Sequence, residues 1–349
     1  MKPAVTLVGD GIENPANALT MLHAVGMFGA ACRFRDTKGL AGSNEFAGFA
    51  GAFPSISGNE VAAAHSRRIA FDNLPGAADV YGFQAGSDFA VLVGNERRGL
   101  SHEFTTLATD RVQVPMHSRR INCLNVAAAS AVALYYLCGT RVGPMGVRRD
   151  PWSRRPELLL LGAGDHFELG STIRSAAAFG WERTFVEDRE RVWFGCDRAV
   201  RSEGRAAARR SRNEILLIPC PSAATYRYPR VTVVTHRPVG VPLHRANLAG
   251  GPRQLVVIPD ESRVELSKED WSRCGEQIEF THLQLPTAEF TYHYRLIATV
   301  ALAEISRQVG RQPAVKMPAV PKPPIYDRAF GQLADAAGEV VSFKDLVAY

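Results

Sequence analysis

Six cysteines in 349 residues, at 32, 123, 138, 196, 220 and 274, never fall into a CxxC pair or a Cys/His spacing. The chain therefore offers neither a zinc framework nor a disulfide lattice, and these residues read as small buried apolar groups. Long hydrophobic runs are also missing, since no stretch reaches the about eighteen apolar residues of a membrane helix. The opening MKPAVTLVGDG enters a strand pattern at once, without the order of a signal peptide. A cytoplasmic address, no membrane partner and no metal are expected. Charge of one sign is only slightly in excess: a net +6 permits a polyanionic partner without demanding one.

What the chain does have is a pattern stated twice. LVGDGIENPANALTMLHAVGMFG (7–29) is matched by LLLLGAGDHFELGSTIRSAAAFG (158–180), with Asn14 over Asp165 and His23 over Arg174. VLVGNERRGLS (91–101) is matched by VVIPDESRVELS (256–267), and NVAAASAVALYYL (125–137) by HYRLIATVALAEI (293–305). The three matches keep their order, with offsets of 151, 165 and 168 residues, which reads as a duplicated domain.

Local patterns place elements on this frame. AVTLVG, CRFRD, RRIAFDN, FAVLVGNE and RVQVPM read as strands, ALTMLHAVGMFG, NEVAAAHSRR and NVAAASAVALYYL as helices, and 37–58 as a Gly/Ser-rich loop. The second half repeats the order with LLLLGAG, STIRSAAAFG, TFVED, EILLIPC, RVTVVTH, QLVVIPDE and YRLIATVALAEISRQVG. Alternating strand and helix predicts an α/β fold with mainly parallel sheets. The domains expected are 1–140, a Gly/Pro/Arg linker at 141–156, a second copy at 157–312, and a proline-rich arm and tail at 313–349.

Arginines crowd two places, Arg141, Arg148, Arg149, Arg154 and Arg155 at the junction, and Arg201, Arg205, Arg209, Arg210 and Arg212 in the second half. They read either as solvated linker and helix surface or as a footprint for phosphates, which suit the planar guanidinium fork.

The chemistry-bearing residues gather at strand ends. Gly94 and Gly99 flank a turn after a buried strand, where open α/β sheets place ligands and glycine lets backbone approach them. Glu96 on that turn can accept from a hydroxyl or an amine. Asn125 sits at the expected N-cap of the apolar helix, with Asn122 and Leu124 before it.

Three segments carry a family resemblance: NPANALTMLHAVGMFG (14–29), VGNERRGL (93–100) and VPMHSRRINCLNVAAASAVALY (114–135). In this order they resemble the three signature motifs of the SpoU/TrmH family of SPOUT-class RNA methyltransferases, closely over about 5–140 and more distantly over 157–310. The resemblance implies a deep trefoil knot, S-adenosylmethionine as methyl donor, and RNA, ribosomal or transfer, as partner. It also implies a dimer in which each donor pocket meets the first motif of the other copy. Carried onto this chain, Val93, Gly94, Glu96, Gly99, Leu100, Val114, Met116, Asn122, Leu124 and Asn125 would hold the donor. Asn17, Glu96 and Arg174 would serve catalysis.

Neither copy is whole. The family's first motif has an Asn and an Arg facing the acceptor; the first copy keeps Asn17 but has His23 for the Arg, and the second keeps Arg174 but has Glu168 for the Asn. The second copy also has Pro259, Glu261, Val264 and His293 where the first has Gly94, Glu96, Gly99 and Asn125. The expectation is two SPOUT-like domains forming an intramolecular pseudo-dimer with one composite site for ribose 2′-O-methylation. Methylation of a small molecule or peptide, and a non-catalytic RNA- or protein-binding module, remain alternatives. His23 reads either as a base poised near neutral pH or as a core histidine.

Overall fold

The computed structural model describes residues 4–47, 53–73, 76–116, 124–139, 142–143, 155–188, 190–193, 215–220, 228–248, 254–264 and 275–310. Asn122, the segment 117–123 on which the expected knot depends, Arg141, Arg148, Arg149 and Arg154, the arginine-rich stretch 201–212 and the tail 313–349 lie outside these residues. No helix among the described residues is long and apolar enough to cross a membrane.

The chain divides into two compact units. The first comprises Met1–Pro115, Leu124–Pro144 and Gln284–Ala303. Its strands are β1 (Val5–Asp10), β2 (Ala31–Arg35), β3 (Arg68–Phe71), β4 (Ala78–Asp79), β5 (Phe89–Gly94) and β6 (Asp110–Gln113). They form one sheet in the order β2-β1-β5-β3-β6-β4, every pair parallel. β1 and β5 are buried on both faces, which is why they read as continuous apolar runs instead of alternating. Each Leu or Val so enclosed contributes roughly 1.5–3 kcal/mol of hydrophobic stabilisation.

Helices α1 (Pro15–Gly26), α2 (Gly58–Ala64), α3 (His102–Leu107) and α4 (Val126–Leu137) complete this part. α1 starts where its sequence says it must: Asn14 caps it by accepting from Ala16 N–H, and Pro15 takes the position where no N–H is needed. α2 opens on a reciprocal capping box between Ser57 and Glu60. α4 is buried almost all round, so it is a core helix and its ends alone are available for chemistry.

The second unit comprises Met116–Cys123, Met145–Leu283 and Glu304–Tyr349. Its strands are β7 (Glu157–Leu161), β8 (Arg183–Glu187), β9 (Leu216–Pro219), β10 (Tyr228–Thr235), β11 (Val241–Pro242), β12 (Gln254–Pro259) and β13 (Gly275–His282). They are ordered β11-β13-β10-β12-β7-β8-β9, again all parallel. α5 (His166–Ala178) follows β7 under an Asp165 cap. The last helix, α6 (Tyr294–Val309), begins in the residues of the first unit and ends in those of the second.

Both sheets follow one plan. With β7 set on β1 and β12 on β5, the strand orders coincide throughout, and β9 is an added edge strand. The central register coincides too: Thr6 faces Ala90 as Glu157 faces Leu255, and Asp10 faces Gly94 as Leu161 faces Pro259. The fold class is α/β with two mainly parallel sheets.

Cys32 and Cys138 are free thiols. Burial pushes the Cys138 thiol up to about 12 and raises Cys32 as well, so neither is a thiolate near neutral pH.

Candidate active site

At the carboxyl ends of β1 and β5, Asp10 stands opposite Gly94, and the chain turns back on itself over 94–100. Asn95 N–H donates to Gly99 O at 3.0 Å and Gly99 N–H to Asn95 O at 2.9 Å, closing the turn. The Asn95 side chain sets its shape, accepting from Arg97 and Arg98 N–H at 2.9 and 3.1 Å and donating to Gly11 O at 2.7 Å. Asp10 anchors the far side by accepting from Ser101 N–H at 2.7 Å and pairing with Arg35 at 2.9 Å. Gly94 is required by the turn itself, because a β-carbon there would lie 2.0 Å from the Gly99 carbonyl carbon and 2.1 Å from Leu100 N. Gly99 is required by conformation, with φ +72°.

One hydrogen-bond chain joins the three motif segments. The Glu96 carboxylate accepts from Glu13 N–H at 2.9 Å, Asn14 N–H at 3.2 Å and Asn17 Nδ2 at 3.0 Å. Asn17 Oδ1 in turn accepts from Asn125 Nδ2 at 2.9 Å. Asn125 Oδ1 caps α4, accepting from Ala127 and Ala128 N–H at 3.0 and 3.4 Å. The orientation of both amides is fixed from the two ends, since the cap demands an acceptor and the carboxylate demands a donor. Glu96 thus spends three of about four acceptor positions on the start of α1, where the helix dipole favours negative charge.

The apolar members of the expected donor site are placed as follows. Val93, Val114 and Leu124 are buried, and Met116 is half-buried. Leu100 packs against the core formed by Val8, Val61, Ala90, Leu92 and Phe104. Val114 and Met116 follow β6, which is joined to β5 through β3. Arg174 belongs to the second unit, half-buried on α5, and Glu168 lies in the first turn of that helix.

Residues 54–135 match the model of the SpoU rRNA Methylase family. That match lies within the first half of the chain. Solved structures similar to part of the chain include the SpoU methyltransferase AviRb from Streptomyces viridochromogenes in complex with AdoMet, 23% identical over 39% of this chain and 57% of that one, with a TM-score of 0.33. An AdoMet-bound rRNA methyltransferase from Sinorhizobium meliloti is 21% identical over 39% of this chain and 57% of that one, TM-score 0.35. A TrmH/SpoU tRNA modifying enzyme of A. aeolicus is 16% identical over 39% of this chain and 74% of that one, TM-score 0.33. The chain thus spans 57% of the length of the first two. No curated protein matches it.

Sequence reasoning did not foresee what lies against α1. His23 Nδ1 is 2.8 Å from His293 Nε2, the rings stacked with centroids 5.1 Å apart and 19° between planes. One turn earlier, Thr20 accepts from the buried Arg295 guanidinium and donates to Ala16 O. Burial first, then the positive charges of His293 and Arg295, hold the His23 imidazole below its ordinary value of 6.5. A depressed histidine binds fewer protons folded than unfolded, so its contribution to stability is lost as pH falls through the ordinary value. The thermal midpoint of the unaltered protein should drop more between pH 7.5 and pH 5 than that of His23→Gln. Parallel melting curves across that range test this, and equal slopes would contradict it.

In the second unit, the positions matching this turn take another shape. Arg263 and Val264 N–H both donate to Asp260 O at 2.9 Å, giving a helical turn where Asn95 and Gly99 make a two-way bridge. Glu261 is fully buried, accepting from Thr235 Oγ1 and His236 N–H at 2.6 Å, with Arg237 Nε at 3.4 Å. Val264 and Arg263 press on the chain at the end of β7. A β-carbon on Gly162 would lie 2.3 Å from Val264 Cγ2, and one on Gly164 would lie 1.9 Å from the Arg263 guanidinium. Here side chains close on the glycines after the first strand, whereas at Gly94 in the first unit it is backbone that does so.

Proposed function

We propose that the protein is an S-adenosylmethionine-dependent methyltransferase acting on RNA, with a single donor site in the first half. The observation that carries this reading is the chain Glu96–Asn17–Asn125, which ties the three motif segments together at the carboxyl ends of the sheet. The residues there fit an adenosyl donor. Gly99 lets the turn approach the Asp72 carboxylate, which would stand 2.8 Å from a β-carbon there, and the neighbouring Val93, Val114 and Leu124 are buried and apolar. When bound, the donor supplies an electrophilic methyl group on a sulfonium.

The protein's own residues then have distinct tasks. Glu96 and Asn17 act as positioning groups, holding the start of α1 against the turn and the α4 cap. In the second unit, Val264 and Arg263 pack on Gly162 and Gly164, which favours one donor per chain. The finer reading is ribose 2′-O-methylation, with Arg174 serving the acceptor, and it rests on the sequence pattern: each half lacks what the other keeps, His23 replacing the Arg and Glu168 the Asn. Duplication of one ancestral domain accounts for that pattern, and the shared strand order supports it. A guanidinium is a poor base, so Arg174 would orient the hydroxyl and stabilise its developing negative charge, the hydroxyl proton passing to water as the methyl–oxygen bond would form and the methyl–sulfur bond would break to leave a neutral thioether.

The test is incubation of the full chain with methyl-labelled donor and total RNA, then digestion to nucleosides. Label in a 2′-O-methylnucleoside is the expected result. Label on a base would refute the finer reading, and unlabelled RNA the whole one.

A further inference from the structure

Asp72 follows the last residue of β3 and carries no motif signal. Its backbone N–H donates to Val112 O at 3.1 Å, tying it to the strand that leads to Val114 and Met116. Its side chain turns to the opposite neighbour, the 94–100 turn: Oδ2 is 3.5 Å from Leu100 N and 2.8 Å from where a β-carbon on Gly99 would stand. Oδ1 accepts from Asn73 N–H at 2.7 Å. With one good donor and one at the limit of hydrogen bonding, the half-buried carboxylate keeps acceptor capacity, about four positions being available to it. A glycine at 99 is what lets the turn and the carboxylate approach this closely.

A carboxylate at a strand end, next to a glycine turn on the adjoining strand, is suited to accept from the two hydroxyls of a ribose. The second unit supplies a contrast. Its corresponding strand, β10, ends in Thr235, with His236 and Arg237 after it, and all three engage the buried Glu261. The acid accompanies the glycine turn, and where Pro259 and Val264 replace the two glycines a threonine stands in its place.

We propose that Asp72 binds the ribose 2′- and 3′-hydroxyls of the adenosyl donor. This rests on the methyl-donor reading above. The test is calorimetric titration of the full chain and of Asp72→Asn with S-adenosylmethionine, S-adenosylhomocysteine and 5′-methylthioadenosine. All three carry the diol and only the first carries the sulfonium charge. The substitution should weaken all three by a similar factor, about ten- to a hundredfold. A loss confined to S-adenosylmethionine would show the carboxylate answering charge, and unchanged affinities would show no contact; either overturns the assignment. On the unaltered protein, 2′-deoxy-5′-methylthioadenosine should bind more weakly than 5′-methylthioadenosine by a comparable factor, which reads the contact without any substitution. Equal binding of that pair also overturns it. If the unaltered protein binds none of these compounds, the methyl-donor reading fails and takes the Asp72 assignment with it; binding that ignores position 72 defeats the assignment alone.

Discussion

Changing Arg174 to alanine should slow methyl transfer by about two to three orders of magnitude and leave donor affinity within about twofold. The size of the effect follows from there being no second arginine to take over, because the matching position of the first half is His23. The imidazole of His23 is stacked on His293 and held below its ordinary value by burial, so near neutral pH it offers no fixed positive charge. Single-turnover rates at saturating donor, with calorimetric donor titration beside them, separate the two effects. A full rate in the alanine variant would remove Arg174 from the chemistry. A parallel loss of donor binding would move it to the donor side. Arg174→Lys should recover only part of the rate, since an ammonium keeps the charge and loses the planar fork.

Gly94→Ala should be the most damaging single methyl group in the first half. The added carbon would lie 2.0 Å from the Gly99 carbonyl carbon, 2.1 Å from Leu100 N and 2.4 Å from Gly99 O. All of these are backbone atoms, so no side-chain rotation relieves the clash. The turn would have to open, breaking the paired bonds between Asn95 and Gly99 and pulling Glu96 away from α1. A cost of about 3 kcal/mol or more is expected, with an unfolding temperature lower by about 5–10 °C. Donor binding should disappear with the turn. Gly82→Ala is the control, because a β-carbon there meets nothing within 4 Å. Equal melting temperatures for the two variants would contradict the close approach.

Much of the architecture was legible because its elements are strongly patterned. β1 and β5 are unbroken apolar runs, α1 is bracketed by Asn14 and Gly29, and α4 is apolar over three turns. Shorter pieces were not: α3 has six residues behind a Ser101 cap, β4 and β11 have two each, and the alternating β13 carries no motif. That Glu96, Asn17 and Asn125 come together was readable from the motifs, but the direction of their side chains was not. Glu96 was expected to face a ligand, and its carboxylate turns back to residues about eighty positions earlier. Nothing local distinguishes Asp72 from any other loop acid, or His293 from the capping asparagine it replaces, because both depend on strands brought together from distant parts of the chain.

The inclusion of Gln284–Ala303 in the first unit bears on how the protein is made. α1 is held along its length by bonds to that stretch, Thr20 to Arg295, His23 to His293 and Gly26 to Thr287, and Tyr81 reaches the carbonyl of Ala303. A nascent chain that has left the ribosome only as far as the halfway point still lacks these partners. Vectorial folding of the amino-terminal body must therefore wait for residues 284–303, and a product cut before them would be incomplete.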